Sequence, residues 1–353
     1  MFSWPDRRIL DLFGIDLPII QAPMAGSSTA EMAAAVSAAG GLGSMPAALL
    51  SPDQLREAVG TIRAATNRSF NLNFFCHQPP ADDLARDLAW RAALAPYYVE
   101  LGLDPAAIPT GGGRAPFNDA YCQVVEETAP AVVSFHFGLP SPSLVERVKV
   151  AGAKVIASAT TVAEAVWLAE RDCDAIIAMG SEAGGHRGSF LGLDMAGQVG
   201  TFALVPQVVD AVDIPVIAAG GIADGRGVAA ALMLGASAVQ VGTAYLFSPE
   251  AKLAPGHREA LENARDDNTA ITNVFTGRPA RGVANRLVKE QGPLSPNAPA
   301  FPNAAFAVAP LRVAAPADFG NAWSGQAARL AAHLPAGELT RRLAEEALAL
   351  LAP

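Results

Sequence analysis

The stretch IPVIAAGGIADGRGVAAALMLGASAVQVGTAY, residues 214–245, contains in one piece the unit from which most of the chain is built. Its two ends, 214–221 and 236–245, are short apolar runs bounded by glycine, and such runs predict buried strands. The alanine-rich residues 225–235 between them predict a helix. A strand, a helix and a second strand in succession predict that the two strands lie parallel in one sheet.

The same alternation of short strands and helices extends over most of the first 247 residues. Further strands are predicted at 18–24, 41–47, 69–75, 131–138, 154–161 and 175–180. Helices are predicted at 29–39, 51–66, 142–152, 162–173 and 202–212. Eight strands favour an α/β fold of the TIM (β/α)8 barrel type, because an open doubly wound sheet normally has about five or six. No GxGxxG follows the first strand, so the dinucleotide-binding fingerprint is absent.

Two segments depart from this alternation. Residues 76–120 are helical and charged at first and then loop-like, which predicts an insertion after the third strand. From residue 248 onward we predict helices at 257–267 and 317–352, separated by a segment rich in Pro, Ala and Asn. The predicted domains are therefore a barrel over 1–247 with the insertion 76–120, and a mostly helical C-terminal extension over 248–353 that packs on it.

Composition and charge exclude several classes of function. The 353 residues are 51% hydrophobic and carry a net charge of −9 without a basic run, which argues against a nucleic-acid partner or an anionic membrane. The N-terminus has no secretory pattern, and no apolar run reaches the length of about 18 residues that a spanning helix needs. Cys76, Cys122 and Cys173 have no CxxC or zinc spacing, so we expect no metal site and a cytoplasmic location. We expect a monomer or a homodimer.

Candidate site residues fall at the predicted carboxyl ends of the strands, where TIM barrels carry their active sites. From the first strand to the eighth they are Ala22, Pro23 and Met24, then Asn73, His136, Met179, Gly184, Gly185 and His186, then Gly220 and Gly221, and finally Gln240, Val241, Gly242 and Thr243. The glycine ends of the last two strands lie where barrels commonly bind phosphate, helped by the N-terminus of a following helix.

A phosphate site without the pyrophosphate fingerprint predicts a mononucleotide such as FMN. The carboxamide of Asn73 can both donate to and accept from a flavin ring, and Ala22 and Met24 can line a ring face. Lys154, at the start of the fifth strand, is a candidate to place positive charge near a reduced flavin.

Two histidines are the candidate catalytic residues. His186 directly follows the small-residue turn of IIAMGSEAGGHRG, residues 176–188, and imidazole is the side chain that moves a proton near neutral pH. His136 lies in the apolar run SFHFG, where a satisfied core histidine is the alternative. Glu182, before the glycines, either orients His186 or is simply solvated.

Several of these motifs together resemble one enzyme family. QAPMAG, NLNFF, SFHFG, ASATTVAEA, GSEAGGHRG, IPVIAAGGIADGRG, QVGTAYL and AWSGQ are similar to motifs of nitronate monooxygenases, formerly called 2-nitropropane dioxygenases, over roughly residues 18–330. The resemblance implies an FMN-dependent TIM barrel, a flavoprotein oxidoreductase that oxidises alkyl nitronates with O₂ to a carbonyl compound and nitrite.

The resemblance also implies roles for particular residues. FMN would be held by Asn73, Gly184, Gly221 and the run from Gln240 to Thr243. His186 would be the active-site base that removes a proton from a neutral nitroalkane, and His136 would contact the nitro group.

The chain departs from the family pattern at two places. Met179 stands where the family usually has Gln before the glycine turn. The family also places tyrosines and a lysine near the substrate in its C-terminal segment, whereas here no tyrosine follows Tyr245 and the only later lysines are Lys252 and Lys289. Two alternatives stay open: an FMN-dependent NAD(P)H reductase of the enoyl-thioester type on the same barrel, and a non-catalytic nucleotide-binding barrel.

Overall fold

The apolar runs of the sequence form the wall of a barrel in the computed structural model, which describes residues 4–109 and 115–352. The strands of these residues are β1 (Ile19–Gln21), β2 (Gly43–Pro46), β3 (Phe70–Phe75), β4 (Val132–His136), β5 (Lys154–Ala159), β6 (Ala175–Met179), β7 (Gly185–His186), β8 (Val216–Ala219), β9 (Ala238–Val241), β10 (Thr269–Thr272) and β11 (Ala280–Val283).

Helices alternate with the barrel strands and continue beyond them. They are α1 (Arg8–Phe13), α2 (Ala30–Ala38), α3 (Pro52–Ala65), α4 (Leu84–Glu100), α5 (Asp119–Thr128), α6 (Pro142–Val150), α7 (Val162–Ala169), α8 (Thr201–Ala211), α9 (Gly225–Met233), α10 (Pro255–Glu262), α11 (Arg286–Gln291), α12 (Ala304–Ala314), α13 (Pro316–Phe319) and α14 (Ala336–Leu351). Short 3₁₀ helices span Pro105–Ala107, Thr243–Phe247 and Ala328–Leu330.

Eight parallel strands close on themselves. The order around the sheet is β1-β9-β8-β6-β5-β4-β3-β2. Next to β1, a parallel bridge joins Ile20 to Leu42, and the Gln21 N–H donates to the Leu42 carbonyl at 3.0 Å. This contact brings β1 beside β2, so the eight strands and their helices confirm the predicted TIM barrel.

The helix signals read from the sequence are visible in the caps. Ser51 and Gln54 form a reciprocal capping box at the start of α3, with Pro52 in its first turn. The side chain of Thr29 accepts from the Met32 N–H at the start of α2. These caps satisfy backbone groups that the first helical turn leaves without a partner.

The C-terminal helix α14 packs against α2 and α9 on the outside of the barrel. Leu339 and Leu343 of this helix are 1% exposed and belong to the same apolar core as the strands. The side chain of Glu346 also accepts from the Gly225 N–H at the start of α9, at 3.1 Å. The helix α14 therefore completes the outer ring, while the division of the chain at residue 247 stays a prediction.

The insertion after β3 contains the helix α4, as expected. Its predicted end at residue 120 extends too far, because α5 begins at Asp119, where Asn118 caps it. The predicted glycine-rich loop includes residues 110–114, which lie outside the described residues.

The region after β9 is mostly helical, as predicted, but it also contains two strands, and its helix bounds differ from the predicted ones. The strands β10 and β11 form an antiparallel pair, and β11 also pairs with β7, so that Ala280 lies opposite His186. The predicted helix at 257–267 ends at Glu262, and the one at 317–352 is replaced by α13, a mostly irregular stretch with one 3₁₀ turn, and α14. No helix among residues 4–109 and 115–352 is long and apolar enough to cross a membrane.

Candidate active site

His136 ends β4 at the mouth of the barrel and is half-buried. Its Nε2 lies 3.1 Å from the backbone carbonyl of His186, and its Nδ1 lies 2.5 Å from the Ser158 hydroxyl. Because a carbonyl only accepts, Nε2 carries the proton, and the hydroxyl of Ser158 donates to Nδ1. Burial lowers the pKa of His136 to about 3, and the positive charges of Arg278 and Arg187 contribute, so this ring is neutral near pH 7.

This arrangement conflicts with the implied contact between His136 and a nitro group. Both ring nitrogens are used within the protein, one on the β5 serine and the other on the His186 carbonyl. The structure instead places His136 as the residue that fixes the backbone of His186.

His186 belongs to the two-residue strand β7, which directly follows the predicted small-residue turn. Its ring Nε2 lies 2.9 Å from the hydroxyl oxygen of Thr276. The rings of Phe301 and Trp323 each lie 5.4 Å from the imidazole, centroid to centroid. The C-terminal region therefore supplies both the strand that pairs with His186 and part of the wall around its side chain.

An aromatic cluster adjoins the two histidines. Phe75, Phe137 and Phe301 are buried together, and His77 packs edge-on against Phe301 at 4.9 Å. His77 lies two residues after β3, at the carboxyl end of a barrel strand, although no sequence pattern distinguished it from the other histidines. The cluster makes the surroundings of His186 largely apolar.

Two arginines, the buried Arg187 and the half-buried Arg278, brace the backbone around His186. Arg187 is 1% exposed and donates to the carbonyls of Met179 and Gly180 at 2.7 and 2.6 Å. Arg278 lies 3.9 Å above the ring of Phe137 and donates to the Ser189 carbonyl. Burial lowers the pKa of each arginine to about 10, so both stay charged near pH 7.

Two carboxylates near the site are structural. The carboxylate of Glu182 accepts from the N–H and the hydroxyl of Thr201, at 2.8 and 2.9 Å, and so caps α8. Its predicted alternative role, to orient His186, is wrong. Glu164, which the sequence did not single out, is 1% exposed and binds the Phe190 N–H at 2.7 Å, which anchors the loop after β7.

The loops after β8 and β9 retain backbone donors. Within the described residues, the N–H groups of Gly221 and Gly242 make no hydrogen bond to the protein. The predicted help from the N-terminus of α9 is not available, because Asp224 accepts from the Arg226 and Gly227 N–H groups and Glu346 occupies that of Gly225. A phosphate at this position would therefore be bound by the loops rather than by the helix.

The first strand contributes to the same region. The Ala22 N–H donates to the Val241 carbonyl at 2.8 Å, which holds the end of β1 beside the end of β9. A Cβ built on Gly242 would lie 3.4 Å from the Ala22 Cβ and 3.8 Å from the Met24 sulfur. Pro23 lies between these two residues in the chain. The structure thus brings the predicted residues after β1 and β9 together.

A segment near the C-terminus closes this region. The Gly325 N–H donates to the Thr243 hydroxyl at 2.9 Å. A Cβ on Gly184 would lie only 2.5 Å from the Gly325 nitrogen, so glycine is required there for close backbone contact. The next residue, Gly185, has no atom within 4 Å of such a Cβ, and Gly220 faces Thr201 and Ala183. Gly184 therefore packs closely against the backbone of Ser324 and Gly325, and its own backbone atoms are what could contact a ligand.

Unpaired polar atoms provide a test of whether FMN fits. Gln240 has a buried Oε1 with no hydrogen-bond partner among the described residues. Asn73 is 5% exposed and donates to the Ser134 hydroxyl at 2.9 Å, and its carboxamide oxygen is a further acceptor. With the free N–H groups of Gly221 and Gly242, these atoms suit a ligand that carries a polar ring and a phosphate.

Lys154 is not part of this region. It is the first residue of β5, at the amino end of the barrel. Ser158, near the mouth, lies four residues further along the strand, about 13 Å away at about 3.3 Å per residue. The predicted placement of Lys154 beside a flavin is therefore wrong, because the strand directs its first residue to the opposite end.

Comparison with known proteins gives a consistent result. The family model described as nitronate monooxygenase matches residues 6–346. A protein of Paraburkholderia phytofirmans named nitronate monooxygenase is 44% identical over 346 residues, covering 96% of this chain and 94% of the relative.

Two solved structures are similar over nearly the whole chain. A nitroalkane oxidase from Streptomyces ansochromogenes has a TM-score of 0.89 and 38% identity, covering 98% of this chain and 100% of the other. FabK from Thermotoga maritima has a TM-score of 0.72 and 28% identity, covering 99% and 98%.

Proposed function

Because this chain belongs to the nitronate monooxygenase family, we propose that it oxidises alkyl nitronates with O₂, using FMN, to a carbonyl compound and nitrite. The observation that carries the proposal is the position of His186: a histidine on a short strand at the barrel mouth, surrounded by aromatic rings and adjacent to a region with unpaired polar atoms. Neutral nitroalkanes are a second expected substrate.

FMN fits the polar atoms at the ends of β3, β8 and β9. The phosphate would be bound by the N–H groups of Gly221 and Gly242, and the ring would meet the side-chain oxygens of Asn73 and Gln240. The backbones of Gly184 and Gly185 and the side chains of Ala22, Pro23, Met24, Met179, Val241 and Thr243 would form the surrounding wall. When bound, FMN supplies the electron transfer that links the organic substrate to O₂.

The protein's own residues prepare the substrate. A neutral nitroalkane must lose its α-proton before it is a nitronate, and His186 is the group positioned to accept that proton. The aromatic side chains of Phe75, Phe137 and Phe301 exclude water around the imidazole. The positive charge of Arg278, against Phe137, favours an anionic nitronate over its neutral form. A nitronate supplied as such needs no base.

The reductase alternative is not favoured. The nitroalkane oxidase structure matches this chain with the higher TM-score and the higher identity, and the Paraburkholderia relative is named nitronate monooxygenase. No separate observation supports a non-catalytic barrel.

A spectrum and three mixing experiments test the proposed function. We expect the purified protein to show the visible absorption of oxidised flavin, which disappears on anaerobic mixing with propyl-2-nitronate and returns with O₂ as nitrite is formed. NADH and NADPH should leave the spectrum unchanged on the same timescale. Rapid bleaching by either nucleotide, with none by the nitronate, would favour the reductase. A colourless protein that takes up no added FMN would contradict both flavin functions.

A further inference from the structure

The hydroxyl of Thr276 contacts the candidate base directly. Thr276 is 4% exposed and lies between β10 and β11, with its Oγ1 2.9 Å from the His186 Nε2. A threonine hydroxyl has a single proton to donate and two lone pairs that accept. The same oxygen lies 3.4 Å from the Arg278 carbonyl, which can accept that proton and so leave a lone pair of the oxygen facing Nε2.

The backbone on both sides holds this contact in place. After Thr276 the chain turns at Gly277, which has a φ of +86° and whose Cβ would lie 1.9 Å from the Pro299 carbonyl. Beyond the turn, the Arg187 N–H donates to the Pro279 carbonyl at 2.8 Å and Ala280 pairs with His186. The strand pairing therefore holds the backbone just after Thr276 against the backbone at His186, which keeps the two side chains in contact.

A neutral imidazole carries one N–H, and the hydrogen bond at one nitrogen decides which nitrogen is protonated. An acceptor opposite Nε2 keeps the proton there, and Nδ1 is then the nitrogen with the basic lone pair. We propose that Thr276 is a positioning residue that holds neutral His186 in its Nε2–H form and fixes the orientation of the ring for proton transfer. This inference rests on the proposed function only in assigning His186 as the base, because the tautomer itself is independent of any activity.

A hydroxyl group, such as that of Thr276, is a suitable hydrogen-bond partner for a histidine that acts as a base. A carboxylate in the same place would favour the charged imidazolium, which cannot accept a proton. A neutral hydroxyl orients the ring without that effect. His136 acts on the same residue from the other side, through the His186 carbonyl. Ring and backbone of His186 are thus fixed by two different neighbours.

The test compares Thr276→Val with Thr276→Ser, which keeps the hydroxyl. The matched control is Thr272→Val, the same change at a buried threonine of β10 whose hydroxyl accepts from the Val274 N–H. We expect Thr276→Val to lose about 10-fold to 100-fold in kcat/KM on neutral 2-nitropropane, in line with loss of a residue that orients a catalytic group. On propyl-2-nitronate it should stay within about 2-fold of wild type, because no proton is removed. Thr276→Ser and Thr272→Val should resemble wild type on both substrates.

A readout without turnover separates this inference from the proposed function. Nitrogen-15 NMR of the wild-type protein, with His186 assigned by comparison with His186→Asn, should show Nε2 protonated and Nδ1 unprotonated above the titration of the ring. Thr276→Val should lower the Nε2–H population, and Thr276→Ser should retain it. An Nδ1–H form in the wild type would overturn the proposal, as would an equal loss by Thr276→Val on both substrates. A wild type that oxidises neither substrate but shows the Nε2–H form would contradict the proposed function alone.

Discussion

At the scale of single residues, the two histidines at the barrel mouth have different tasks. His136 uses both nitrogens within the protein and is held neutral by burial, whereas the ring of His186 lies against the aromatic rings of Phe301 and Trp323. The sequence placed both at strand ends but could not distinguish them, because the difference depends on Ser158 and on the His186 carbonyl.

His186→Asn tests the assignment of the base. We expect it to lose about 10²-fold to 10⁴-fold in kcat/KM on a neutral nitroalkane, the usual contribution of general-base catalysis, and far less on the nitronate. The measurement is the ratio of the two kcat/KM values at equal flavin content. The variant should keep FMN, since His186 is not among the residues proposed to bind it. Equal losses on both protonation states would make His186 a binding residue only.

His136→Gln tests the buried neutral histidine through stability. The folded-state pKa of about 3 lies below the ordinary value of 6.5, so between these values the unfolded chain binds more protons than the folded one. Stability contributed by neutral His136 is therefore complete above pH 6.5 and falls as pH falls toward 3, by at most about 1.4 kcal/mol per pH unit. Glutamine does not titrate, so the unfolding free energy of the variant should depend less on pH over this range.

Urea unfolding of wild type and His136→Gln at several values between pH 7 and pH 4.5 measures that pH dependence. Burial also lowers the pKa of His257. His257→Gln is therefore the matched control, and it should remove the contribution of His257 to the pH dependence of the unfolding free energy while leaving that of His136. An unchanged pH dependence in His136→Gln would show that His136 is not held neutral in the folded protein.

At the scale of elements, the eight barrel strands were predictable and the three short strands were not. Each barrel strand is a short apolar run that follows a helical segment, so the local pattern is sufficient. The strand β7 has only two residues, and β11 reads ARGV, without alternation. Their pairing depends on contacts between segments almost 100 residues apart, which a local pattern cannot show.

The same limit explains the site residues that sequence reasoning missed. Thr276 lies in a segment whose Pro, Ala and Asn content predicted only irregular structure. Glu164 was predicted within a helix, and its burial follows from the loop it binds, at Phe190. The glycines after β8 and β9, in contrast, were chosen correctly as neighbours because adjacent parallel strands end at the same edge of a barrel.

Gly242→Asp tests the loops after β8 and β9 as a phosphate site. A carboxylate beside the unpaired N–H groups would repel a phosphate dianion, so the variant should be purified with little or no FMN and regain little on incubation with it. Gly60→Asp is the matched control, because Gly60 lies in α3 with no atom within 4 Å of a built Cβ. The absorbance ratio of flavin to protein is the measurement. Full flavin content in Gly242→Asp would contradict the phosphate assignment.

At the scale of the whole molecule, the region after β9 does two things. Its middle part reaches the barrel mouth and supplies Thr276, Phe301 and Gly325 to the candidate site. Its last helix, α14, packs on the barrel beside α2 and α9. The predicted extension over 248–353 packs on the barrel; it unfolds either as a unit of its own or, if α14 is part of the outer ring, together with the barrel.

Leu343→Ala distinguishes these two descriptions. Leu343 of α14 is 1% exposed within the core that also contains the strands, and truncation of such a leucine costs about 2–5 kcal/mol of unfolding free energy. If α14 is part of the barrel, the whole loss should appear in one cooperative urea transition, followed alike by far-UV circular dichroism and by the fluorescence of bound flavin. Leu350→Ala is the matched control, because Leu350 is 57% exposed on the same helix and should change stability by less than about 0.5 kcal/mol. A separate, earlier transition that leaves the flavin signal intact would instead make the C-terminal region an appendage with its own stability, since the barrel would then fold without its last helix.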